Sequence, residues 1–340
     1  MLLAGVTAGP RSAATWRKFV TLIGYHASHE QFSPGDLLQW TIAAGEAGFD
    51  CAMCSDHFTP WSETQGHSAF AWSWLGAAMQ ATTMPFGIVN APGYRYHPAI
   101  IAQAAATLAT MYPDRFWIAL GSGEAINEHI TGEHWPPKPE RNARLLECVE
   151  IMRALWAGET VTHRGQVVVE DARLWTLPAR PPLVFGAALT PETAAWAGSW
   201  ADGLITVNSP PDQLRQIVDA FRNHGGAGKP LALQVHVSWA TTVEEARHHA
   251  FNEWKYPILP ASAGQDLRYP AQFDQVGKLV RPEDLDPFVR ISEDTSQHQE
   301  WLRQDIDMGF DRIFLHNVGP NQESFISTFG EHVLPGLRQV

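Results

Sequence analysis

Charge is scarce in this sequence. Asp, Glu, Lys and Arg make up 18% of its 340 residues, and the balance is acidic, a formal -12 at pH 7. A chain of that sign repels nucleic acid and anionic membrane surfaces, so neither is expected as a partner. Long apolar runs are missing as well, and no stretch approaches the ~20 residues of a membrane span. The opening MLLAGVTAGPRSAATWRKFV lacks the basic-then-apolar order of a secretory leader, so residues 1–20 read as a loose extension before the first strand. Cysteine is limited to Cys51, Cys54 and Cys148, which excludes a disulfide framework and points to a reducing, cytoplasmic setting. Cys51 and Cys54 form a C-x-x-C, but on a strand-like run rather than at a helix start where a thiol pKa would fall. They read as small core residues.

What is present is alternation. Eight short apolar runs, at 21–27, 51–57, 85–91, 116–122, 182–188, 202–208, 231–239 and 311–317, are separated by segments of helical period. PGDLLQWTIAAGEAG carries Pro at its first turn and Gly at its end, and HPAIIAQAAATLATMY and RNARLLECVEIMRALWAG repeat the amphipathic pattern. Nearly continuous apolar strands imply a parallel sheet buried on both faces. Eight β-α units imply a (β/α)8 barrel forming a single domain over 1–340. A doubly wound sheet would need a Gly-rich turn after the first strand, and GYHASHEQF has none. Two stretches break the rhythm: 159–180 reads as a β-hairpin inserted before strand five, and the Pro-rich 255–294 as an excursion after strand seven capping one face.

In such a barrel the active site lies where strands end. The exits offer His26, His29 and Glu30; then Asp56, His57 and Trp61; then Asn90, Tyr94, Arg95 and His97. The fourth gives Ser122, Glu124, Asn127 and Glu128, the fifth is bare, and the last three give Asn208, His236 with Trp239, and His316 with Asn317. An imidazole, with a reference pKa of about 6.5, exchanges protons at cellular pH, which makes His57 the candidate acid/base and Glu124 its complement. The loop GSGEAINE lacks the lysine of a Walker motif, yet Gly121, Ser122 and Gly123 could cradle a phosphate beside Asn127. A metal centre is not expected, because His26 and His29 are mis-spaced for one strand face and strands five and six end without ligands.

The motifs GYHASHEQF, SDHFTPW, RYHPAIIAQAAATL, GSGEAINE and RNARLLECVEIMRALWAG resemble, in order and spacing, the luciferase-like flavin and deazaflavin oxidoreductases. They are similar to the deazaflavin-dependent glucose-6-phosphate dehydrogenase group, and closer still to a sister group that uses FMN. The resemblance implies FMN as cofactor, with coenzyme F-420 as the alternative. It implies His57 as base, Trp61, Glu124 and Glu30 as further catalytic residues, and Asp56 as a cofactor contact. It also implies a non-prolyl cis peptide among Val89, Asn90 and Ala91 behind the ring, and cofactor contacts at Ala188, Leu189 and Thr190. A glycine pair and a substrate-phosphate lysine of that group are absent here, the loops reading AALTPE and TVNSPPDQ. With Trp61, Trp72, Trp74, Trp135, Trp239 and Phe70 near the exits, the expected substrate is a neutral, aromatic or alicyclic alcohol or carbonyl compound. An FMN monooxygenase and a non-catalytic flavin binder are the competing outcomes, and a homodimer is expected.

Overall fold

A computed structural model describes residues 21–338. The expected extension over 1–20 lies outside the described residues. Eight parallel strands close into a barrel: β1 Leu22–Ala27, β2 Cys51–Ser55, β3 Phe86–Asn90, β4 Phe116–Leu120, β5 Leu183–Ala187, β6 Gly203–Val207, β7 Leu231–Ser238 and β8 Arg312–Asn317. Each pairs with its successor, and β8 closes on β1 with Leu22 opposite Arg312. Every apolar run of the sequence therefore became a barrel strand, trimmed by one or two residues where the chain turns.

The barrel is filled from within by pairing small residues with large ones. Cys51, Met53, Trp117, Ala119, Phe185, Ile205, Ala232 and Phe314 pack as one buried cluster. Gly87 faces Trp117 so closely that a Cβ on it would stand 2.0 Å from the indole Cζ2. Cys51 belongs to this interior while Cys54, on the opposite pleat, packs in the outer core beneath the helices. Burial pushes both thiols up, which leaves them unreactive.

Most connecting helices carry the expected punctuation. Pro34–Glu46 starts at a Ser33 cap that accepts from the Asp36 amide, and Pro98–Met111 has Pro in its first turn. The helix Ala71–Ala81 is one that the periodicity did not single out. Its N-cap is Phe70, with no side-chain cap bond, and its Trp72 and Trp74 are buried, so no polar start signal marks it.

The two insertions have the form their sequences suggested. Val161–Arg164 pairs antiparallel with Val168–Ala172 before β5. After β7 the chain runs through short helical turns at Tyr256–Ile258, Ala261–Gly264, Pro270–Gly277 and Pro282–Leu285. It then lays Arg290–Ile291 parallel on the end of β7, beside Val237 and Ser238. This excursion is tied to the strand-exit loops. Gln265 O accepts from Ala125 N (2.8 Å), Asp274 accepts from Glu63 N (3.2 Å), and Arg141 pairs with Asp266 (3.2 Å).

Replacing Gly87 by Ala is expected to destabilise the protein by ~1–3 kcal/mol, because the indole of Trp117 cannot retreat from a filled interior. Denaturant unfolding checks this, and an unchanged midpoint would show that the barrel interior has slack.

Candidate active site

The strand pleat decides what faces the barrel mouth. At the end of β2, Ser55 points in, Asp56 out and His57 in, since successive side chains alternate. The His57 ring sits between two carboxylates, with Nδ1 3.6 Å from Glu30 Oε1 and Nε2 3.8 Å from Glu124 Oε2. Both separations exceed hydrogen-bond length, so neither carboxylate is hydrogen-bonded to the ring. Trp61 packs on the imidazole at 4.9 Å between centroids.

Glu30 is buried and held by two hydroxyls, those of Ser55 and Ser28 (3.1 Å), both donating to its carboxylate. Burial alone would raise its pKa, but His57 and the Ser55 hydroxyl outweigh that and hold it below the usual carboxylate range. Glu124 is partly exposed, and burial of its carboxyl, opposed by His57, pushes its pKa up. The pKa values of the two acids flanking one imidazole are thereby driven in opposite directions.

Asp56 turns away from His57 into a dry cage. It accepts from Asn90 Nδ2 (2.7 Å), Trp72 Nε1 (3.2 Å) and Tyr96 Oη (3.2 Å), and faces Arg95 Nη1 at 3.7 Å. Arg95 also donates to the Asp56 carbonyl (2.6 Å) and lies 3.7 Å from Glu128, whose pKa burial pushes up to about 7. Asp56 thus braces the β2 exit through three hydrogen bonds. Asn127 behaves similarly, its carbonyl accepting from the Phe58 and Thr59 amides (2.9 and 3.3 Å) and holding the loop that follows His57.

Val89 faces the barrel interior, Asn90 donates Nδ2 to Asp56 while its Oδ1 is buried without a partner among the described residues, and Ala91 follows at the β3 exit. Among the described residues every peptide bond is trans, so the cis peptide expected among Val89, Asn90 and Ala91 is absent. A trans bond avoids the ~3–4 kcal/mol that a cis non-prolyl bond costs. Gly121, Ser122 and Gly123 follow β4, with Gly123 at φ 82°, where a β-carbon would also press on Glu128 Cγ at 3.0 Å. The parallel register sets Leu120 beside Gly186, and Ala187 Cβ stands 3.6 Å from where a Gly121 side chain would begin, with Ala188, Leu189 and Thr190 following in the chain. Thr190 caps the helix Pro191–Gly198 through its side chain, which accepts from Thr193 N (3.3 Å).

The expected aromatic pocket is largely dispersed. Trp72 and Trp74 pack the helix Ala71–Ala81, Trp239 donates to Glu293 O outside the barrel, Trp135 binds Asp266, and Phe70 is exposed. Of the six, Trp61 lies on His57, and it packs in turn on Phe273 of the excursion at 5.3 Å.

The residue that sequence reasoning missed is Trp254, which follows the helix Val243–Glu253. Its ring meets His316 at 4.5 Å and His236 at 5.1 Å. His26 completes the group, 4.6 Å from His316, because β1, β8 and β7 are neighbours in register. Burial lowers His26 to about 4 and His236 to about 3, and drives His316 well below its usual value. The floor of the mouth is therefore polar but uncharged, and the Nδ1 atoms of all three, with that of His57, are buried without a partner. Among the described residues no set of His, Cys, Asp or Glu is placed to hold a metal ion.

A flat polar cofactor with a phosphate-bearing side chain fits this donor set. Unpartnered imidazole nitrogens and the Val89–Ala91 wall suit a ring, and Ser122 with Lys138 Nζ (2.7 Å apart) suits an anion.

Comparison with known proteins agrees with that fit. The family model described as luciferase-like monooxygenase matches residues 18–312. An F420-dependent glucose-6-phosphate dehydrogenase of Microbacterium testaceum is 34% identical, the match covering 93% of this chain and 97% of that one. One from Nakamurella multipartita is 35% identical over 93% of this chain and 96% of its own. Among solved structures, an F420-dependent secondary alcohol dehydrogenase in complex with an F420-acetone adduct superposes with a TM-score of 0.87 at 30% identity, covering 94% of this chain and all of that one. A coenzyme F420 dependent tetrahydromethanopterin reductase from Methanopyrus kandleri shares the fold, with a TM-score of 0.76 at 18% identity over 94% of this chain and 99% of that one.

The neutral histidines make a pH prediction. Their folded pKa values lie below the unfolded value of about 6.5, so the unfolded chain binds more protons in the window between. Stability from this source is complete above pH 6.5 and is lost as pH falls from there toward about 4 and 3, the folded values of His26 and His236. Urea midpoints between pH 7 and 4.5 should decline, and His26→Gln should flatten the decline. The same slope in both proteins would show that this histidine is not held neutral.

Proposed function

Since the chain belongs to the luciferase-like monooxygenase family, we propose that it is a coenzyme F-420-dependent dehydrogenase interconverting a neutral alcohol and its carbonyl compound. The observation that carries this reading is the His57 imidazole suspended between Glu30 and Glu124 at 3.6 and 3.8 Å. The preference for FMN drawn from the sequence finds no support among the relatives described, whose names specify F420. Coenzyme F-420 is accordingly the cofactor of choice, and dehydrogenation is favoured over oxygen chemistry.

A bound deazaflavin supplies a two-electron hydride acceptor. The chain's own residues handle the proton and the substrate. The substrate hydroxyl lies between His57 Nε2 and Glu124, and its proton passes to Nε2 as the carbinol hydride leaves, so that a C=O bond replaces the C–H and O–H bonds. Glu30, charged and fixed by Ser28 and Ser55, stabilises the imidazolium from the Nδ1 side. Glu124, whose pKa burial pushes up, faces the substrate oxygen from the other side and would hydrogen-bond it. Trp61 fixes the imidazole plane and, with Trp254 and the excursion, keeps water away.

Cofactor contacts are assigned to the wall at Val89 and Ala91, the loop Gly121, Ser122 and Gly123, and the β5 exit at Ala188, Leu189 and Thr190. Asp56, Asn90 and Asn127 support those contacts from behind. A neutral substrate suits a floor of uncharged histidines, and the loop after β6, with Ser209 and Pro210, offers no cation for a sugar phosphate.

Purified protein is expected to quench the fluorescence of coenzyme F-420 on binding and to reduce it with a neutral secondary alcohol. His57→Ala should lower kcat by ~10²–10⁴-fold with little change in cofactor Kd and Tm. An unchanged rate per folded molecule alongside a lowered Tm would make His57 a structural residue and end the mechanism.

A further inference from the structure

His57 and Glu124 stand on different strand exits, yet the substrate oxygen must meet both, so their spacing has to be held from outside the pair. The one-turn helix Ala125–Glu128 meets the β2 exit at two points. Glu124 is its N-cap, and the amides of Asn127 and Glu128 both donate to the Glu124 carbonyl, at 3.0 and 3.1 Å. Asn127 is tied to the chain just after His57, through the amides of Phe58 and Thr59. Glu128 is tied to the chain just before His57, and that link runs through Arg95.

Arg95 lies in the loop after β3, and its side chain is 5% exposed. Its amide donates to Glu128 Oε2 at 2.9 Å, and its Nη2 donates to the Asp56 carbonyl at 2.6 Å. That carbonyl belongs to the peptide bond joining Asp56 to His57. The guanidinium stands farther from both carboxylates, with Nη1 3.7 Å from Asp56 Oδ1 and Nε 3.7 Å from Glu128 Oε1. An arginine that only neutralised buried acids would favour short, paired bonds to a carboxylate. This one directs its short side-chain bond to the backbone beside the base. Its plane is fixed over the Tyr96 ring, 4.5 Å from the centroid, and the Tyr96 hydroxyl is itself bound to Asp56 at 3.2 Å.

We propose that Arg95 is a positioning residue that ties the Asp56–His57 peptide to Glu128 and thereby sets the distance between the His57 imidazole and the Glu124 carboxyl. The inference rests on the acid-base reading above. It places Arg95 behind the reacting groups, acting through His57 and touching neither substrate nor cofactor.

The test uses Arg95→Lys, which keeps a positive charge between Asp56 and Glu128 but lacks the planar fork that reaches in two directions at once. With coenzyme F-420 and cyclohexanol, kcat per folded molecule should fall by ~10–100-fold, the loss that a reacting group misplaced by about 1 Å brings. KM and the Kd of the coenzyme should stay within about threefold of wild type. In a His57→Ala background the same substitution should lower the rate no further, because its effect passes through the imidazole. An unchanged kcat with a lowered Tm would make Arg95 a structural residue, and a full additional loss in the double variant would give it another route of action. Either result overturns the proposal. If wild type turns over neither cyclohexanol nor propan-2-ol, the dehydrogenase reading fails by itself, and the placement of His57 is read by NMR of histidine-labelled protein. The His57 ring signal, assigned by its loss in His57→Ala, should move in Arg95→Lys while those of His236 and His316 stay in place. A His57 signal that stays put, or that moves only together with those two, would overturn the positioning role.

Discussion

The buried carboxylate of Asp56 is the constraint on which the site depends. It draws in Asn90 from β3, Trp72 from the following helix, and Tyr96 and Arg95 from the next loop. Removing a carboxylate from water is costly, and that cost is met only when its partners arrive together in one geometry. The consequence is a β2 exit with one rotational setting. With Asp56 fixed outward, the pleat turns His57 inward, and the imidazole meets Glu30 from β1 and Glu124 from β4. The adjacent Asp-His pair in the sequence is therefore split across the pleat. One member anchors the backbone so that the other can be aimed.

Layering within the barrel explains why such a polar site survives inside an apolar fold. Below, glycines opposite Trp117, Phe185 and Phe314 make room for these large rings in the interior. Above them, His26, His236 and His316 meet across three neighbouring strands, uncharged because burial favours the neutral ring. Higher still come the ionisable Glu30, His57 and Glu124. Among these layers polarity rises toward the mouth, while at the opposite end Arg312 lies over the rings of Trp117 and Phe185.

The excursion after β7 joins these layers to the rim. Phe273 and Tyr256 pack on Trp61 and Ile126, while Gln265 and Asp266 hold the β4 loop and Arg141. Besides its contacts with the β6 and β7 exits, it touches the β2 and β4 exits, which present His57 and Glu124. A segment that is irregular in sequence thereby becomes a cover over these exits, with the Gln265 carbonyl supplied by a turn and the Phe273 ring by the helix Pro270–Gly277.

Sequence alone determined the elements whose signals are local. Eight apolar strands, their helices, the hairpin and the inserted excursion follow from periodicity and from Gly and Pro at the ends, and eight β-α units have a natural closure. The helix Ala71–Ala81 escaped because its start is marked by packing and not by a cap. The strand exits also located His57, Glu124 and Glu30, since alternation and barrel topology suffice to place them at one rim. Only the tertiary structure decided how they are used. It turned Asp56 and Asn127 into braces, kept the β3 exit trans, scattered the tryptophans, and brought in Trp254. It also set Lys138 against Ser122 across a gap of sixteen positions in the chain. Those outcomes depend on which side chains meet across strands and on what burial does to their charge. Neither is written in the spacing of residues along one chain.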